Sequence, residues 1–337
     1  MGETQAGPGY DLRILTLTDQ QVLDLAEMRA CVDEIKEAFL LSSQGQVESP
    51  VRTRFRMSDV RNVLLMPSLI RDKGGTLSLK VVSVYPDLGG DLPSTRAVVL
   101  LTDGADGSVK CLMGGTALTG VRTGAVSGLS CRYLARKDSR NLAMIGAGGQ
   151  GFYQISGVAS QLDIQRVSIF DLDRARQKRL AERCVSELRL EATVSDSVQG
   201  ATAGADVIIT ATTSKKPVLD AEHVRQGTHV VAIGAYTPES RELGSGLVSM
   251  ASVYVDSIEA AMEEAGDLLI PIKEGVLKRE NVKGDLASLA AGKLAGRTDD
   301  SEVTIFKAVG LAFEDNAVGW MVYRRALSSG TGGWVEL

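Results

Sequence analysis

The chain is 337 residues long, sets 37 Lys and Arg against 42 Asp and Glu for a net charge of −5, and is only 4% aromatic. A length of this order predicts about two domains, and the mildly acidic balance provides neither the basic face that nucleic acid needs nor attraction to an anionic membrane. Apolar runs such as 62–70 and 206–212 fall short of the roughly 18 uncharged residues of a spanning helix, and the first residues lack the charged-then-apolar order of a signal peptide.

Residues 1–11 read as a polar leader bearing Gly and Pro. From Ile14 to Leu41, Val22, Leu25, Met28, Val32, Ile35 and Phe39 recur at helical spacing, split into two helices. Cys31, Cys111, Cys131 and Cys184 are too scattered for a disulfide framework and fit buried, reduced thiols, which points to the cytoplasm. Between Arg52 and Leu101 the segments RTRFRM, NVLLMP, TLSLKVVSVYP and RAVVLLTD are divided by Gly, Asp and Pro, predicting an antiparallel sheet. Small residues in TGAVSG predict a helix over 117–134 packed tightly on its neighbours. Residues 141–257 alternate apolar β-branched strands with helices, the pattern of a doubly wound parallel sheet. The stretch 302–327 reads as helix by periodicity and runs into a Gly-rich tail. The expected architecture is α/β, with a Rossmann unit inserted between two parts of an α+β domain.

Gly146, Gly148 and Gly151 form GAGGQG between the strand LAMI and a helical pattern. In that context the first glycine permits the tight turn, the second admits a pyrophosphate to the backbone, and the third lets helix and strand pack closely. The next strand, RVSIF, ends at Asp171, where a carboxylate would accept hydrogen bonds from a ribose and repel a 2′-phosphate. NAD is therefore expected over NADP. Arg174 and Arg176 leave a 2′-phosphate open, though they suit a solvated helix face better.

Neither histidine occupies a catalytic-looking context: His229 opens a strand and His223 lies on a short polar helix. No metal-binding cluster and no GxSxG motif is present. Three cations in apolar or small-residue surroundings remain as substrate-gripping candidates. Lys80 sits in a strand where an amine needs a carboxylate partner or loses its proton. Arg122, among small residues, suits a carboxylate across a cleft or an interdomain ion pair. Arg52 lies beside Arg54 and Arg56 in a strand-like stretch.

The segments SPVRT (49–53), LLMPS (64–68), LKVVSVYPD (79–87), LPST (92–95), ALTGVRTGAVSG (117–128), MIGAGGQ (144–150), GADVIITATT (204–213), AIGAYTPESREL (232–243), VDSIEAAMEEAGDLL (255–269) and TIFKAVGLAFED (304–315) resemble, in order, the ornithine cyclodeaminase and mu-crystallin family. The resemblance implies an NAD-binding Rossmann domain over 123–311 and a substrate-binding and dimerisation domain from 1–122 and 312–337, in a homodimer. It implies that Arg52, Lys80 and Arg122 hold the substrate carboxylate, with Lys80 also at the reacting carbon, and that Thr123, Gln150 and Thr212 line the cofactor. Ornithine cyclodeaminases carry acids where this chain has Leu64 and Tyr236, so ammonia elimination from a diamino acid loses its carboxylates. Tyr236 is left to bond the substrate or to cover the nicotinamide. The implied activity is NAD(P)H-dependent reduction of a small 2-imino acid. An alanine-type dehydrogenase, a cyclodeaminase and a non-catalytic dinucleotide-binding protein are the alternatives.

Overall fold

A computed structural model describes residues 13–85 and 94–336. The leader read over 1–11 and parts of the segments at 79–87 and 92–95 lie outside the described residues.

The first half runs β1 (Arg13–Leu17), α1 (Asp19–Leu25), α2 (Met28–Ser43), β2 (Val47–Glu48), β3 (Thr53–Arg56), β4 (Asn62–Ile70), β5 (Thr76–Val84), β6 (Thr95–Asp103), β7 (Val109–Gly114) and α3 (Gly115–Leu134). The second continues with β8 (Asn141–Ile145), α4 (Gly151–Ala159), β9 (Arg166–Phe170), α5 (Arg174–Leu188), β10 (Glu191–Val194), α6 (Val198–Thr202), β11 (Val207–Thr210), β12 (His229–Ala232), α7 (Ser245–Met250), β13 (Ser252–Val255), α8 (Ile258–Glu264), α9 (Gly266–Lys273), β14 (Val282–Asp285), α10 (Leu286–Ala290), β15 (Thr304–Lys307), α11 (Ala312–Ser329) and β16 (Gly333–Glu336).

Two sheets result. In the first, β16, β1, β7, β6, β5 and β4 follow one another, with β2 and β3 both pairing with β4; only β1 and β7 are parallel. Alternation along β4 and β5 buries Leu64, Met66 and Ser68, and Ser78, Lys80 and Val82, on one face, against which α11 packs. The second sheet is wholly parallel in the order β10-β9-β8-β11-β12-β15-β13-β14. Its central strands β8, β11, β12, β15 and β13 are buried on both faces, as parallel strands covered by helices on both sides are.

Two expectations need correction. Residues 304–307, read as part of the C-terminal helix, form β15, which inserts between β12 and β13 and is fully buried. A buried apolar strand of four residues carries no periodicity to separate it from helix. Residues 13–17, at the start of the stretch read as two helices, form a strand instead, and the Gly-rich tail returns as β16 to pair with it antiparallel.

Helix α3 runs unbroken through the expected domain boundary at 122/123 and joins the two sheets. Its small residues let backbones touch: a Cβ on Gly157 of α4 would lie 1.8 Å from the Gly124 carbonyl oxygen. On an open helix Gly→Ala stabilises by about 1 kcal/mol. Here Gly157→Ala should instead destabilise by about 1–3 kcal/mol, because α3 and α4 must be pushed apart. Denaturant unfolding reads the sign, and a stabilised variant would contradict this packing.

Candidate active site

All strands of the second sheet point the same way, so their carboxyl ends share one edge, where open α/β sheets bind ligands. Gly146 follows β8 there with φ +105°, and a Cβ on it would lie 2.6 Å from the Ala211 carbonyl oxygen. Gly148 is exposed and nothing lies within 4 Å of where its Cβ would be, so the turn leaves room for a ligand against its backbone. Gln150 and Gly151 begin α4, whose first amides have no side-chain cap and present partial positive charge.

Asp171 follows β9 and closes over this turn, accepting the Ala147 N–H at 2.6 Å and the Asp173 N–H at 2.8 Å. Arg174 is paired with Asp196, and Arg176 with Asp173 at 3.3 Å, so both already have carboxylate partners. Thr212 follows β11 and Tyr236 follows β12 on the same edge. Thr123 lies one residue beyond Arg122 on α3, its hydroxyl donating to the Thr119 carbonyl at 2.6 Å. The turn, the uncapped helix start and Asp171 together fit a dinucleotide.

The three candidate cations converge on carboxylates that the sequence did not single out. Lys80 Nζ donates to Asp315 at 2.6 Å, with only 2% and 0% of the two side chains exposed. Arg122 Nε donates to the other Asp315 oxygen at 3.2 Å, and its Nη1 to Glu314. Arg52 pairs with Glu264 at 3.0 Å and donates to the carbonyls of Val309 and Gly310 at 2.8 and 2.7 Å. Asp256 holds that segment from its other side through the Val309 and Gly310 N–H groups, at 2.7 and 2.8 Å. The Arg52 guanidinium stands 6.0 Å from the centroid of the Tyr236 ring.

A cleft opens over Arg52, Met66, Glu264, Leu311 and Ala312. Lys80 is directly opposite Met66 in the β4–β5 register and so faces the same way. Burial brings the Lys80 ammonium down to about 8; Arg122 and Arg52 push in the same direction while Asp315 opposes them. Burial also lifts the Glu314 carboxyl to about 7 against the pull of Arg122. Such a site can grip an anion with fixed cations and hold a proton that moves near neutral pH.

Other sequence candidates separate cleanly. His229 is buried between Thr304 and Ser130 at 2.9 and 3.3 Å, and burial takes its pKa down to about 3, so it stays neutral. The four cysteines are buried thiols. Among the described residues no group of three or more His, Cys, Asp or Glu is placed to hold a metal, and no helix is long and apolar enough to cross a membrane. Glu264, Glu314 and Asp315 were missed as site residues. Glu314 and Asp315 adjoin the chain's apolar FKAVGLAF run, the one local hint that a charged pair there needs partners.

Removing Asp315 strands two buried cations. Asp315→Asn should cost about 3–5 kcal/mol in denaturant unfolding and lower the Lys80 pKa further; a loss below about 1 kcal/mol would show that the pairing is dispensable.

The chain resembles known proteins over almost its whole length. It is 33% identical over 329 residues to the alanine dehydrogenase of Archaeoglobus fulgidus, covering 96% of this chain and 99% of that protein. The structure of Thermococcus litoralis Δ1-pyrroline-2-carboxylate reductase in complex with NADH and L-proline superposes with a TM-score of 0.92 at 36% identity, covering 95% of this chain and 99% of that one. An archaeal alanine dehydrogenase dimer with bound NAD superposes at 0.89 with 31% identity, covering 96% and 99%. Residues 14–330 match the ornithine cyclodeaminase/mu-crystallin family, and the chain belongs to that family.

Proposed function

We propose that the protein reduces a small 2-imino acid, a ketimine such as pyrroline- or piperideine-2-carboxylate, to the L-amino acid with NADH. The observation that carries this reading is that Arg52 and Arg122 both lie against Gly310, beyond the carboxyl end of β15, with Arg52 also beside Tyr236 beyond β12 and Lys80 joined to Arg122 through Asp315. The Thermococcus litoralis relative adds support, being named a Δ1-pyrroline-2-carboxylate reductase in complex with NADH and L-proline, whereas the Archaeoglobus fulgidus relative is named for the alternative, an alanine dehydrogenase.

NADH supplies hydride when bound, and the remaining work falls to the chain. Asp171 receives the adenosine ribose, and the paired state of Arg174 and Arg176 leaves no free cation among them for a 2′-phosphate. Arg52 and Arg122 grip the substrate carboxylate and fix the C=N carbon, so binding energy goes into orientation. A neutral ketimine carboxylate must gain two protons and a hydride to become the zwitterionic amino acid. Lys80, near 8, gives one of those protons to the nitrogen, solvent supplies the other, and Asp315 holds the ammonium in place until the transfer. Met66, Leu64 and Ala312 present an apolar wall, and Leu64 and Tyr236 stand where cyclodeaminases have acids, which disfavours ammonia elimination.

We also propose that the first sheet with α11 forms the substrate half and the second sheet the cofactor half, and that two chains associate through the sheet face turned away from α11. Leu77, Val98 and Leu112 are exposed there, and Val81 and Leu100, their cross-strand neighbours, continue the patch.

Purified protein should oxidise NADH rapidly with pyrroline- or piperideine-2-carboxylate without added ammonia, and NADPH more slowly. Activity only with pyruvate plus ammonia would make it an amino-acid dehydrogenase, and proline from ornithine without net NADH loss a cyclodeaminase. Because Lys80 must carry its proton, kcat/KM should fall as pH rises through about 8; a flat alkaline profile would remove Lys80 from proton transfer. Light scattering should give twice the 35.8 kDa chain mass and a monomer for Val98→Glu, whereas a monomeric wild type would rule out the association.

A further inference from the structure

A second buried ionic cluster, which the chemistry above leaves unused, lies behind the loops that follow β11 and β12. Glu242, Asp267 and Lys307 are each 0% exposed. Glu242 accepts the Thr212 N–H at 2.6 Å on one oxygen, and on the other the Gly234 N–H at 2.7 Å and the Thr210 hydroxyl at 3.0 Å. Asp267 accepts the N–H groups of Glu242 and Leu243 at 2.6 and 2.9 Å. Its other oxygen faces Lys307 Nζ at 2.9 Å, and that amine donates to the Ala235 carbonyl. One carboxylate thus grips two loops, and the rest of the cluster fixes that carboxylate to β15 and α9.

The ladder explains why a side chain is needed. The last β11–β12 pair is Thr210 with Ala232, and beyond it the amides of Thr212 and Gly234 have no strand partner. An unsatisfied buried N–H costs free energy, and a carboxylate can serve several donors at once. The loops also touch, since a Cβ on Gly234 would lie 2.3 Å from the Thr212 carbonyl oxygen. Any loosening of Glu242 therefore moves both.

We propose that Glu242 is a positioning residue for hydride transfer: by holding Thr212 and Gly234 it sets the loops bearing Thr212 and Tyr236 against which the nicotinamide and the imine are aligned. The inference rests on the strand-end edge being the NADH site. The adenosine half is anchored separately, at Gly146–Gly151 and Asp171, so misplacing these loops should spare affinity and damage alignment. Small displacements at a reacting centre are expensive in rate.

Glu242→Gln replaces one acceptor oxygen with an NH2 group that faces a donor. Thr210→Val removes only the hydroxyl bond to the same carboxylate and is the milder variant should the first fail to fold. Three readouts are needed: hydrogen exchange at Thr212 and Gly234 in cofactor-free protein, NADH affinity by fluorescence, and kcat with the isotope effect for NADH dideuterated at C4. Expected are faster exchange at both amides, NADH affinity within about threefold of wild type, kcat lowered about tenfold or more, and a larger isotope effect. Thr210→Val should show the same changes to a smaller extent. Faster exchange with unchanged kcat and isotope effect in a folded variant would overturn the proposal and leave a structural staple, as would parallel loss of affinity and turnover. A wild type that neither binds nor oxidises NADH would instead defeat the functional reading itself.

Discussion

The site depends on one carboxylate serving two buried cations. Asp315 binds Lys80 from β5 through one oxygen and Arg122 from α3 through the other. Each cation alone would carry a large desolvation cost in that position. Sharing Asp315 ties the first sheet, the helix that joins both sheets and α11 into a single arrangement, and it explains how Lys80 and Arg122 can stand close together away from solvent. Glu314 and Glu264 extend the same logic to Arg122 and Arg52.

That balance also shapes the chemistry. Burial and neighbouring guanidinium groups bring Lys80 down to about 8 while Asp315 keeps it from falling further, so the amine holds a proton that it can release near neutral pH. An arginine in its place would keep its proton, and an exposed lysine would hold it too tightly. In the proposed reaction, burial is what lets this base serve as an acid.

The cofactor side uses the opposite economy. Around Gly146–Gly151 the chain offers bare backbone, an uncapped helix start and one carboxylate, and it leaves open space at Gly148. Behind the neighbouring loops it spends three buried charges to hold main chain in place. Open backbone at Gly146–Gly151 leaves space for a ligand, and buried charge holds the separate main chain at Thr212 and Gly234.

The parallel sheet was legible from residue order because most of β8 to β13 are short apolar or β-branched runs alternating with helical patterns, and the glycine turn with Asp171 is local to two consecutive strands. Strand β15 was not, since TIFK merges into the periodicity of α11 and is identified as strand only by lying between β12 and β13. The cations Arg52, Lys80 and Arg122 were legible as charges in unsuitable surroundings, but their partners were not. Lys80 and Asp315 are 235 residues apart, and Arg122 and Glu314 are 192 apart. Sequence by itself determined which residues must be buried, which turn can receive a phosphate and which charges need neutralising, because these are properties of short segments. Only the tertiary structure decided which carboxylate answers which cation and where Glu242 is anchored, because pairing across such separations is set by the packing of whole elements and not by any local pattern.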